Sequence, residues 1–143
     1  MDRELTAESA SRLLFFECSR IDLEWWTTIL NTLAETREHE PVKVQMLMNT
    51  LAEVIPGVGN MHVGDLIAMD LTLGEQCFVA AALDCFMDQW ICTAGATLSE
   101  WTERWGEVSG FLTRAGTLIR NDPRHIDASG MNEVWNQLRA AVS

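Results

Sequence analysis

The stretch CFVAAALDCFMDQWICTAGATL, Cys77 to Leu98, is apolar on nearly every side when wound into a helix and carries charge only at Asp84 and Asp88. A helix without a polar face has to be buried among other helices, which makes this segment the centre of an all-α domain. Its start is marked by Thr72 and Glu75, spaced as in a capping box, where each side chain satisfies a backbone donor beside the other. The uninterrupted apolar pieces are too short to span a bilayer, so the segment reads as a core helix and the chain as soluble.

Downstream, Thr97 and Glu100 repeat the capping-box spacing after Gly95. A new helix is expected there, carrying Trp101, Trp105, Val108, Phe111, Leu112 and Leu118 up to Arg120, with a last helix from about Ser129 to Val142. Upstream, Asp65 to Leu71 is expected as a short helix after the loop PGVGNMHVGD. Before that loop, a helix from about Pro41 to Ile55 sets Val44, Met48, Leu51 and Ile55 at i, i+4, i+7 and i+11 and stops at Pro56-Gly57. From Ala7 to about Arg37, the stripe Leu14, Cys18, Ile21, Trp25, Ile29, Leu33 predicts one long amphipathic helix or two in sequence. Pro41 favours a first turn, so a break belongs after ETREHE. The run NTLAE occurs at 31–35 and 49–53, and the break assigns the two copies to different helices. No segment alternates as a strand.

At 143 residues, 48% of them apolar, the chain is expected to form a single helical domain over 1–143 with a sizeable core. The net charge of −11 and the absence of any basic cluster argue against nucleic acid and anionic membranes, because phosphate binding draws its affinity from clustered cations. Cys18, Cys77, Cys85 and Cys92 lie in apolar surroundings without Cys-x-x-Cys spacing, and the opening MDRELTAESASR is polar and unlike a signal peptide. Reduced thiols and a cytoplasmic location follow.

Chemistry-bearing patterns are sparse. His39, His62 and His125 are too far apart in sequence for a zinc site, no Gly-x-Ser-x-Gly occurs, and Gly57-Val58-Gly59 lacks the strand and third glycine of a dinucleotide loop. Asp84 and Asp88 share a helix face without the Glu-x-x-His partners of carboxylate-bridged metal sites, and read as a solvated edge or groove rim. No catalytic residue, metal or cofactor is expected, and the chain reads as a binding protein rather than an enzyme.

The second helix resembles a known pattern. Val44, Met48, Leu51 and Ile55, with Ala52-Glu53 as a small residue followed by an acid, are similar to the third homology region of the Bcl-2 family of apoptosis regulators, although that family prefers Leu, Gly and Asp where this chain has Met48, Ala52 and Glu53. Arg12 to Trp25, ending Leu23-Glu24-Trp25, resembles the family's first helix. Phe78 and Phe86-x-Asp88 resemble the helix before its first homology region, and Ser129 to Val134 stands about where its second would begin. Two frames compete for the family's Asn-Trp-Gly-Arg: one at Trp90, which lacks Gly and Arg, and one at Trp105-Gly106, which has Glu107 in place of Arg.

The resemblance implies a compact Bcl-2-like bundle, closest in character to a viral member, acting in the host cytoplasm without a membrane anchor. By the same resemblance, an amphipathic helix of a pro-apoptotic protein would lie in a groove lined by Met48, Leu51, Ala52, Ile55, Leu66, Met69, Phe78, Leu83 and Phe86, with Arg104 approaching a ligand carboxylate. The alternative is a homo-oligomeric helical adaptor or chaperone, such as a homodimer, paired through Trp25, Trp26, Ile29 and Leu33.

Overall fold

The protein is described from a computed structural model, which covers residues 22–59, 63–66, 68–92 and 95–121, together with Thr6, residues 8–10, Arg12, Gln137 and Ala140. Asp22 is extended, with φ −115° and ψ −179°, and its Oδ1 accepts the Trp25 N–H at 2.8 Å, so the first long helix, α1 (Leu23–His39), starts on an N-cap. Residues 8–10 and Arg12 are helical ahead of it. Asp22 breaks the expected N-terminal stripe ahead of Trp25; its members Leu14, Cys18 and Ile21 lie outside the described residues. Glu40 leaves helical geometry and Pro41 opens α2 (Pro41–Ala52) from its first turn, as its ring favours.

α2 ends three residues earlier than the periodicity predicts. The Val54 and Ile55 N–H groups both reach the Leu51 carbonyl, at 3.2 and 2.9 Å, and the chain turns away through Gly57 at φ +88°. Val54 and Ile55 remain buried because the turn folds back onto the core. The expected helix from Asp65 to Leu71 is shorter and earlier: α3 (Val63–Leu66) is a single turn, and Ala68 and Met69 follow it with tight bonds to the Asp65 and Leu66 carbonyls.

The Thr72–Glu75 capping box is complete: Glu75 N–H donates to Thr72 Oγ1 at 3.2 Å, and Thr72 N–H donates to Glu75 Oε1 at 3.0 Å. It launches α4 (Leu73–Cys92), which is buried without interruption from Leu73 to Leu83 and becomes mixed from Asp84 onward. Gly95, at φ +89°, turns the chain into α5 (Leu98–Arg120), whose Thr97 cap accepts the Glu100 N–H at 3.2 Å. The expected C-terminal helix lies outside the described residues apart from Gln137 and Ala140, which are helical.

Among the described residues the protein is a helical bundle without strands. α4 and α5 form an antiparallel pair: Phe86 meets Trp101 and Trp105 at one end, and Phe78 lies against Gly116 at the other. A methyl group added at Gly116 would come within 2.5 Å of the Phe78 ring, so only glycine permits this approach. α2 packs on α1, α4 and α5, and α3 on α1. A clasp joins three segments: Arg120 Nη1 donates to the Val54 carbonyl, and its Nε lies 3.4 Å from Glu75 Oε2.

Candidate helix-binding site

Val44, Met48 and Leu51 recur at helical spacing along α2 and face inward together with Leu47, which the four-position pattern does not include. Leu66 of α3, and Phe78, Leu83 and Phe86 of α4, belong to the same hydrophobic cluster, against which Met69 packs partly buried. Most of the residues expected to line a groove thus belong to the common core, which takes in buried apolar residues from every described long helix. They are also closed off: Met48, Leu51, Ile55, Leu66, Phe78, Leu83 and Phe86 are each 2% exposed or less, so a ligand helix reaches them only if the surrounding helices part. Ala52 is partly buried, and Arg104 is exposed on α5.

The face expected to pair subunits is used within the chain. Trp26, Ile29 and Leu33 are buried, and Trp25 keeps partial exposure with its ring set edge-on to Trp26 at 5.4 Å. Asp84 is half-buried and Asp88 exposed, which places the rim of α4 at the point where its uninterrupted burial ends. Of the two tryptophan frames, Trp105 is fully buried in the α4–α5 contact, whereas the Trp90 side chain lies outside the described residues.

An aromatic cluster fixes α5 on α4. The indoles of Trp101 and Trp105, one turn apart, stack at 5.8 Å with 10° between planes, and Phe86 stands edge-on to both at 5.8 and 5.7 Å. Such pairs add roughly 0.5–1.5 kcal/mol each beyond the area they bury. The sequence placed these tryptophans together on one helix, without a sign of the polar hub beside them. Thr50 Oγ1 accepts the Trp105 indole N–H at 3.1 Å, donates to the Met46 carbonyl at 3.0 Å, and lies 2.8 Å from the Ser109 hydroxyl. With the one Thr50 proton directed at Met46, Ser109 is the donor in that pair. The hub floors an open cleft of about 200 Å³ between α2 and α5, lined by Met46, Asn49, Thr50, Glu53, Trp105, Gly106 and Ser109. The spacing of Trp105 and Ser109 puts both on one face of α5, but nothing in the sequence links that face to Thr50.

Among the described residues, no group of three His, Cys, Asp or Glu side chains is arranged to hold a metal ion, and no helix is long and apolar enough to cross a membrane. Cys77 is buried and Cys85 half-buried, neither in a disulfide. No family model matches the chain, and no curated protein or solved structure matches it either.

Proposed function

We propose that this chain is a non-catalytic binding domain that takes up an amphipathic helix against the inner face of α2, and that its ligand is the helix of a pro-apoptotic protein, which the chain would restrain as an apoptosis inhibitor. The supporting observation is the convergence of the α2 stripe, Leu66 of α3 and the Phe78, Leu83, Phe86 side of α4 in one cluster, with Met69 at its edge. An apolar floor assembled from three segments is what the helix-in-groove mode needs, and methionines suit it because they repack around different ligands. The resemblance in motif order from Arg12 to Val134 is what favours this ligand class.

Binding by this mode requires α2 to move outward. α2 has 12 residues, bounded by the non-helical Glu40 on one side and the turn through Gly57 on the other, so it can shift as a unit. Calorimetric titration of the folded chain with pro-apoptotic helical peptides tests the reading. Heat of binding with a negative heat-capacity change is expected, because apolar surface is buried. Met69→Ala is expected to weaken binding about tenfold or more while leaving the helical circular dichroism intact, since Met69 lies at the edge of the core. Absence of binding by every such peptide to folded wild type would refute the proposal.

A further inference from the structure

Of the ten basic residues in the chain, only Lys43 is a lysine. It lies on α2 with its Nζ 5.5 Å from the centroid of the Trp101 ring on α5 and 3.9 Å from Glu40 Oε1, and its side chain keeps 12% of its surface in solvent. The negative face of the indole and the carboxylate both attract the ammonium, and Trp101 is itself buried, so the ring beneath the lysine is fixed. Acylation of an amine requires the nitrogen to reach bonding distance of an activated carbonyl carbon. A side chain packed against a fixed ring cannot make that approach.

We propose that Lys43 is a conformationally masked acylation site, shut while α2 lies on α5 and presented to a small acyl thioester when α2 lifts. In the open form the ammonium first gives one proton to solvent, and the lone pair so freed on Nζ attacks the thioester carbonyl. The C–N bond forms, the C–S bond breaks, the thiolate leaves with the bonding pair, and the nitrogen gives up its proton to that thiolate. The product is a neutral amide, which neither pairs with Glu40 nor binds the Trp101 face as a cation. It is also bulkier than the amine it replaces, so α2 cannot return to its former seat on α5. Acylation therefore holds α2 away from the bundle.

Local opening of this kind occurs over a range of free energies, from near zero up to that of global unfolding. α2 is short, but among the described residues it packs on α1, α4 and α5, so its opening belongs toward the costly end of that range. The movement that bares Lys43 also bares Val44, Met48 and Leu51, which would couple modification to ligand uptake. That coupling rests on the proposed helix binding; the masking of the amine does not.

The experiment is acetylation of the ligand-free folded chain by N-hydroxysuccinimidyl acetate, with Nα-acetyl-lysine amide in the same tube as the unprotected standard. Modification at Lys43 is read by peptide mass spectrometry along a urea series. In water Lys43 is expected to react at least about tenfold more slowly than the standard, a ratio that reports the rarity of opening, and to approach it as urea rises. Equal rates in water would overturn the masking. Arg120→Gln, which removes the tie from α5 to the turn after α2, is expected to raise the rate several-fold in water. A rate unchanged in that variant would overturn α2 lifting as the route. Should Arg120→Gln not fold, S-acetyl glutathione replaces the ester reagent on wild type, with the same slow reaction in water and the same rise in urea expected; a urea-independent rate overturns the route equally.

Discussion

Thr50 is a small polar residue whose loss has an outsized effect, because it is 3% exposed and accepts the indole N–H of a Trp105 that is 1% exposed. Thr50→Val keeps the shape and removes the acceptor, leaving a buried donor without a partner. A cost of about 1–3 kcal/mol is expected in urea unfolding, and Thr50→Ser should recover most of it by restoring the hydroxyl. Two glycines of α5 show how surroundings decide the sign of one substitution. Gly→Ala in a helix interior is worth up to about 1 kcal/mol in intrinsic propensity. At Gly106 nothing lies within 4 Å of the added methyl, so Gly106→Ala should raise the melting temperature. At Gly116 the methyl meets the wholly buried ring of Phe78, and overpacking of about 1–3 kcal/mol outweighs the propensity gain, so Gly116→Ala should lower it.

At the scale of elements, the two Thr–Glu helix starts, at α4 and α5, differ in their surroundings. At α4 the Thr72–Glu75 box is reciprocal and half-buried, and Glu75 also faces Arg120; at α5 Thr97 is exposed and its hydroxyl bonds the Glu100 side chain. Thr72→Ala should therefore cost about 1 kcal/mol or more in urea unfolding, and Thr97→Ala less. Both starts were legible in the sequence, because capping chemistry is local: a hydroxyl and a carboxylate three residues apart suffice. The breaks at Pro41 and Gly57 were legible for the same reason. The early end of α2 was not, since Val54 and Ile55 continue the apolar spacing, and only the fold shows that a turn buries them as well as a helix would. α3 was expected longer because residues 65–71 are apolar enough for helix but carry no cap. The hub at Thr50 and the bond from Arg120 to the Val54 carbonyl join segments more than fifty residues apart, and no local pattern encodes such a pairing.

For the whole molecule, the decisive feature is that most of the expected groove residues lie sealed in the core. A site populated only in a minor open form binds with an apparent affinity reduced by the fraction open. Under the proposed mode, loosening the closed form should help the ligand. Arg120→Gln, which frees the turn after α2, is expected to lower the urea midpoint while tightening apparent peptide affinity; calorimetry showing weaker or unchanged affinity would count against an opening mechanism. Burial was legible in the sequence: periodicity along α2 selected Val44, Met48 and Leu51, which are buried, but whether apolar side chains line an open groove or a sealed core depends on distances between helices, which no single stripe contains. The stacked indoles of Trp101 and Trp105 have a consequence of another kind. Two nearly parallel chromophores at 5.8 Å couple their electronic transitions, and Phe86 holds both in a chiral setting between α4 and α5. The protein thereby carries its own optical gauge, a near-ultraviolet dichroic signal set by the docking of two helices rather than by their helicity, which fades when they separate even if each stays wound.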